Sequence, residues 1–246
     1  MKKLLLGTMI ATSLFSASVF AVEAKDKKTL QEVEANIKKN APDIPTIKEV
    51  RTTPINNIYE VVVNDADIFY TEKEGKYFFF GDLVKIDKEG KVSLTQKRTD
   101  ELTAFSFKEL NFNDAITKKV GNGKDLIVTF EDPNCGFCKK LHPELAKLNN
   151  VTIQTFIIPI LGPKSVEAAK AIWCSKDKVK AWDDYMKSNT MPTNVNEKCD
   201  SSNLQRNMEF ATSHKISGTP AIYFANGKTF KGYATADKIN EALKQK

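Results

Sequence analysis

Leu126-Ile127-Val128-Thr129-Phe130, followed shortly by Cys135-Gly136-Phe137-Cys138, is the stretch on which the fold turns. A short apolar run rich in β-branched and aromatic residues reads as a buried strand. A helix is expected from Cys135 to Leu148, bent at Pro143. The two thiols therefore lie at a strand-to-helix junction. Unpaired backbone N–H groups and the positive end of the helix dipole gather there and favour a thiolate. Only the thiolate attacks sulfur, so the junction reads as a redox dithiol. The same spacing also serves zinc, which would need a second Cys/His pair. Cys174 and Cys199 are far apart, and His142 and His214 form no ligand pair; no metal and no other cofactor is expected.

The ends narrow the setting. Met1-Lys2-Lys3, an apolar stretch from Leu4 to Phe20 and Val19-Phe20-Ala21 have the three parts of a secretory signal peptide, residues 1–21. Cleavage is placed after Ala21, with Ala24 as the alternative. Thr8, Thr12, Ser13, Ser16 and Ser18 make the segment a poor permanent membrane span. Losing Lys2 and Lys3 lowers the formal charge from +6 to +4, and acids are interleaved with bases throughout. No basic stripe with stacking aromatics stands out, so nucleic-acid binding is not expected. Four cysteines in an exported chain point to two disulfides. Of three connectivities, only Cys135–Cys138 with Cys174–Cys199 keeps the helix-start motif intact. The second bridge reads as structural and would stabilise by roughly 3.5 kcal/mol on the chain-entropy relation.

Along the chain, Thr29-Leu30-Gln31-Glu32 fits a capping box that starts a short amphipathic helix carrying Leu30, Val33 and Ile37. From Ile47 to Leu94 the period is two. Ile58–Val63, Ile68–Thr71, Tyr77–Phe80, Leu83–Asp87 and Val92–Leu94 read as short strands, with Lys-Glu-Gly-Lys at Lys73–Lys76 and again at Lys88–Lys91 as turns. Such a unit has a small core and is expected to bury surface against a second copy. Residues 95–119 are polar, and Thr95–Asn111 reads as a partly helical linker. Thr152–Pro159 is a second apolar strand, parallel to the first because a helix joins them. Lys164 to Phe210 is mostly helical, with Trp173 and Trp182 as core residues. Gly218-Thr219-Pro220 precedes the strand Ala221–Phe224, Asn226-Gly227 turns into Thr229–Lys231, and a helix ends the chain.

Taken in order, these features resemble the DsbC family of exported thioredoxin-like disulfide isomerases, nearly end to end. The resemblance is carried by Cys135-Gly136-Phe137-Cys138-Lys139-Lys140-Leu141-His142, by Ile172-Trp173-Cys174-Ser175-Lys176-Asp177-Lys178 and by Ser217-Gly218-Thr219-Pro220-Ala221. It implies an α+β N-terminal dimerisation domain (residues 22–94), a linker helix (95–111) and an α/β thioredoxin-like catalytic domain (112–246) with a helical insertion. It also implies Cys135 as the attacking thiolate and Cys138 as the resolving thiol. Thr219 and a cis Pro220 would form the loop that docks a substrate strand, and Cys174–Cys199 would be the structural disulfide. Two departures stand out. Phe137 occupies a position where the family often carries tyrosine. Thr129 stands where many thioredoxin relatives bury an acid, so no proton acceptor for Cys138 is evident. Glu131, on the same strand face, is one candidate for that acceptor but reads more readily as a solvated or helix-capping acid; His142, which could tune the thiolate, reads more readily as a surface or hydrogen-bonded histidine.

The implied function is reduction and isomerisation of mispaired disulfides in exported proteins, in the periplasm, by a homodimer. A membrane reductant of the DsbD type would keep the dithiol reduced. A reductase of the DsbG kind, protecting single cysteines, and a holdase chaperone are the competing readings.

Overall fold

The computed structural model describes residues 16–64 and 66–245, with side chains from Asp26 onward. Residues 1–15, most of the expected leader, lie outside the described residues. The chain divides between Leu102 and Thr103 into two compact units.

The first unit opens with helix α1 (Ser16–Asn40). It starts well before Thr29, so the expected capping box does not begin a helix. The intervening Glu-Ala-Lys-Asp-Lys-Lys run contains strong helix formers and no breaker, and the helix simply continues through it. Strands β1 (Ile47–Thr52), β2 (Ile58–Val63), β3 (Asp67–Glu72) and β4 (Phe78–Phe79) form one antiparallel sheet in that order. Strand β1 was not among the expected strands. Strands β5 (Val84–Asp87) and β6 (Gly90–Ser93) make a separate ribbon. Val33 and Ile37 of α1 are wholly buried against Val50, Val61, Val63 and Phe69 of the sheet. Helix α2 (Leu94–Leu102) follows, and its Arg98 pairs with Glu49 and with the buried Glu60 (3.3 Å).

The first Lys-Glu-Gly-Lys turn is locked from both sides. The Glu72 carboxylate accepts from the backbone N–H groups of Glu74, Gly75, Lys76 and Tyr77. From α1, the side-chain amides of Asn36 and Asn40 donate to the carbonyls of Lys73, Glu74 and Gly75.

The second unit begins with two 3-10 turns, Phe107–Glu109 and Phe112–Asp114. Then come β7 (Ile116–Lys119), β8 (Asp125–Glu131), α3 (Gly136–Ala146), β9 (Val151–Ile157), α4 (Pro163–Trp173), α5 (Lys178–Ser188), α6 (Ser202–Ser213), β10 (Ala221–Phe224), β11 (Thr229–Lys231) and α7 (Ala236–Lys244). The sheet order is β11-β10-β8-β9-β7, with β8 and β9 parallel and the other pairs antiparallel. Strand β8 is the central one, and Ile127, Val128 and Phe130 on it are fully buried. Trp173 and Trp182 are core residues. Strand β7 falls in the segment read as polar connection. It is an edge strand, and lysines belong on edges because they discourage further pairing. No helix among the described residues is long and apolar enough to cross a membrane.

Gly75 has φ +64°, and a Cβ added there would lie 2.8 Å from the backbone nitrogen of Ile37. Gly75→Ala therefore combines left-handed strain with a clash against a helix backbone that cannot yield. Urea unfolding should show the first unit destabilised by about 2 kcal/mol or more. An unchanged midpoint would mean that the turn does not dock on α1 as described.

Candidate active site: a dithiol at the start of α3

Strand β8 carries the chain out at the end of the sheet, and Asp132 then fixes the loop that follows. This carboxylate is fully buried. Its Oδ1 accepts from the backbone of Asn134 (2.7 Å) and the hydroxyl of Ser165 (2.8 Å), and its Oδ2 accepts from the backbone of Leu161 (2.9 Å). The Asp132 carbonyl accepts from the N–H of Cys135 at 3.1 Å. Asn134 is held in turn, donating to Ser165 (3.2 Å) and accepting from the Tyr185 hydroxyl (2.8 Å). None of Asp132, Asn134, Ser165 or Tyr185 was singled out in the sequence. The one available signal was Asp132 two positions before Asn134, the spacing of a side-chain-to-backbone turn.

Cys135 caps α3, and Cys138 lies in its first turn. The two are not bridged, and their surroundings differ. The Cys135 sulfur donates to the carbonyl of Thr219 at 3.2 Å, across the Thr219–Pro220 bond, which is cis. Gly136 and the strongly exposed Phe137 (58%) project beside it, with the Lys140 ammonium 5.2 Å from the Phe137 ring centre. Cys138 has no exposed surface. Burial pushes its thiol well above the ordinary range, the charge of Glu131 adds to that, and a hydrogen bond from the Asp132 backbone opposes it.

Glu131 overturns its expectation. It is neither solvated nor a helix cap: it is 1% exposed, in the core. The face of β8 that carries Thr129 and Glu131 turns under α3, and period-two alternation put both on that face regardless of charge. Burial raises the Glu131 carboxyl to about 7, against one opposing contact, the Thr129 hydroxyl donating to Oε1 at 2.7 Å. Its Oε2 has no protein partner.

One turn beyond Cys138, His142 is half-buried. Its Nε2 lies 3.5 Å from Asp183 Oδ1, and Asp183 Oδ2 pairs with Lys118 at 2.6 Å. Burial lowers the imidazole pKa, and Lys118 lowers it further, while Asp183 works the other way. Elsewhere in this unit Cys174 and Cys199 are joined by a disulfide, with Cα atoms 5.5 Å apart, at the end of α4. His214 Nδ1 donates to the carbonyl of Thr103 (3.0 Å), and its ring packs tilted against Phe210. Among the described residues no cluster of three or more His, Cys, Asp or Glu side chains could hold a metal ion.

Residues 112–246 match the model of a thioredoxin-like domain, and residues 19–96 match that of the disulfide bond isomerase protein N-terminal domain. Over 197 residues the chain is 32% identical to a probable thiol:disulfide interchange protein DsbC of Bordetella pertussis, covering 80% of this chain and 68% of that one. The chain belongs to the DsbC family. Over 243 residues it is also 29% identical to the thiol:disulfide interchange protein DsbC of Escherichia coli K12, with 96% and 94% of the two chains covered. A crystal structure of a disulfide interchange protein from Neisseria gonorrhoeae matches 56% of this chain and 100% of its own, with 32% identity and a TM-score of 0.51. A close cysteine pair in this thioredoxin-like fold makes the protein a thiol–disulfide oxidoreductase of the DsbC family.

Glu131 ties stability to pH with a definite sign. Its carboxyl is raised from 4.5 to about 7 in the folded chain, so the fold binds that proton more tightly than the unfolded chain does. The cost is absent below 4.5, grows as pH rises, and is complete above about 7. Glu131→Gln removes the charge and keeps the shape. It should gain on the wild type between pH 4.5 and 8, by up to about 3 kcal/mol in denaturant unfolding. A difference between the two proteins that does not vary with pH would contradict this.

Proposed function

We propose that the chain reduces and isomerises mispaired disulfides in exported proteins through the Cys135-Gly136-Phe137-Cys138 dithiol. The observation that carries the reading is the contrast between the two sulfurs, one at the Thr219 carbonyl and one sealed in the core beside Glu131. Cys135 is the attacking thiolate. It displaces one sulfur of a substrate disulfide and becomes joined to the other. Thr219 and Pro220 border that bond, and Phe137 offers exposed apolar surface to the substrate chain. Two exits follow. A second substrate thiol can displace Cys135, which isomerises the substrate. Alternatively Cys138 gives its proton to Glu131 and attacks Cys135, which releases a reduced substrate and leaves Cys135–Cys138 oxidised. A membrane reductant of the DsbD type then restores the dithiol in the periplasm. Cys174–Cys199 keeps a structural role.

Isomerisation requires repeated attempts on one substrate, and a dimer holding two dithiols raises their effective concentration. The N-terminal domain, expected over residues 22–94, has a surface suited to self-association. Tyr77 (68%), Phe80 (78%) and Ile86 (75%) are strongly exposed, and the sheet ends at the two-residue strand β4. Exposed large apolar side chains of this kind are what an interaction site would use.

The test uses the full chain. Phe80→Glu combined with Ile86→Glu should sediment as a monomer, reduce a small disulfide at the wild-type rate and lose most activity in refolding a scrambled-disulfide ribonuclease. Cys135→Ala should lose both activities. A monomeric variant that still reshuffled disulfides as well as the wild type would overturn the role given to the dimer, whereas a wild type that reduced the small disulfide but reshuffled none of the ribonuclease would make the protein a reductase of the DsbG kind. Retention by Cys135→Ala of the ability to keep unfolded chains soluble, with no thiol activity needed in the wild type, would favour the holdase.

A further inference from the structure

Glu131 can accept from Cys138 only when it is ionised, so a protonated Glu131 has first to lose its proton to solvent, yet its side chain is 1% exposed. Cys135 and Cys138 of α3 and Asp132 lie toward the dithiol, and no lysine, arginine or histidine contributes to the carboxyl's shift. One polar route leads away from it. Thr129 Oγ1 is 2.7 Å from Glu131 Oε1 and 3.0 Å from Thr155 Oγ1, the register partner of Thr129 on β9. All three side chains are buried. Thr155 in turn lines a small cavity of about 20 Å³, together with Lys118, His142 and Asp183. A volume of that size holds one water molecule, and these are the polar partners a buried water requires. On the far side, the side chains of Lys118 and Asp183 are each 32% exposed, so the cavity adjoins solvent. Asp183 Oδ1 is a buried atom with no hydrogen-bond donor of its own, at 3.5 Å from the imidazole.

We infer that Thr129, Thr155 and one water in this cavity form a reversible hydroxyl chain that carries protons between Glu131 and the solvent-facing His142–Asp183–Lys118 cluster. This rests on Glu131 being the acceptor for Cys138. The arithmetic of donors allows it. A threonine hydroxyl has one proton to give and can accept another. With Glu131 protonated, the carboxyl donates to Thr129, Thr129 to Thr155, and Thr155 to the water. Passing one proton along each link leaves Glu131 ionised, Thr129 donating to it, Thr155 donating to Thr129, and an extra proton on the water, from which it reaches bulk solvent beside Asp183. No electrons move in these steps, and each oxygen ends with the protons it needs. Thr129 and Thr155 are positioning and relay residues; neither touches substrate.

The test is stopped-flow oxidation of the full-length dithiol protein by excess glutathione disulfide. Its first phase joins glutathione to Cys135, and its second releases that glutathione as Cys138 attacks. At about pH 6, where Glu131 starts protonated and must empty through the chain before it can accept from Cys138, Thr155→Val, nearly isosteric, should slow the second phase by about tenfold or more, the scale of a lost proton-transfer step, and leave the first phase unchanged. The second phase should also acquire a larger solvent deuterium isotope effect. Thr155→Ser, which restores the hydroxyl, should recover the rate. A wild-type second phase in Thr155→Val overturns the relay, and so does a Thr155→Ser variant as slow as the valine, since packing alone would then explain the loss. Glu131→Gln separates the two readings. If it is slow while Thr155→Val is not, Glu131 remains the acceptor and only the route falls. If Glu131→Gln also runs at the wild-type rate, the acceptor assignment falls and takes the relay with it.

Discussion

Cys135 and Cys138 share one helical turn and differ in access, Cys135 keeping 7% of its surface and Cys138 none, and the rest of the second unit is arranged to keep that so. Strand β8 has to be central and fully covered for its end to seal one sulfur in the core and leave the other at the margin, against the Thr219 carbonyl. The parallel neighbour β9 and the antiparallel neighbour β10 supply the cover on either side. Strand β10 also brings the Thr219 carbonyl to the outer sulfur, because Ala221 pairs with Phe130 just before the dithiol loop. The chemistry proposed for the pair is a consequence of this division. A sulfur that keeps some surface, beside the Thr219 carbonyl, can meet a substrate. A sealed one can meet only its neighbour.

Holding the division has a cost, and buried acids carry it. Asp132 is satisfied by three donors and acts as a clamp between the dithiol loop and the start of α4. Glu131 is not satisfied, since one oxygen lacks any protein partner, and its carboxyl accordingly titrates near neutrality. A stable core residue would not be built this way. A group that must accept and release a proton at neutral pH would be. The adjacent Thr129–Thr155 pair and the small polar cavity beyond give that proton somewhere to go.

Most of this frame was legible from local rules. The apolar run into Cys135, the parallel return at β9, the turn at Asn226-Gly227 and the apolar face of α1 all follow from periodicity and turn chemistry. What was missed has a common cause: charged residues were read as solvent-facing. Strand β7 ends in two lysines that lie at a sheet edge, and Glu131 occupies a strand face that tertiary packing covers with α3. Period two places a side chain on a face, but which face becomes the core is decided by the helix that docks there. The early start of α1 was hidden for another reason, since a good local cap at Thr29 means nothing once the preceding residues are helical. The clamp at Asp132 and the cluster of His142, Asp183 and Lys118 join residues from four separate elements, and no spacing along the chain announces them.

The account stands or falls on the two sulfurs being unlike. Mass mapping after timed alkylation of the fully reduced, folded protein measures this directly. Iodoacetamide should modify Cys135 first and leave Cys138 unmodified until the protein is unfolded, with Cys174 and Cys199 still bridged under a mild reductant. Labelling of Cys138 at the rate of Cys135 in the folded protein would contradict the central claim.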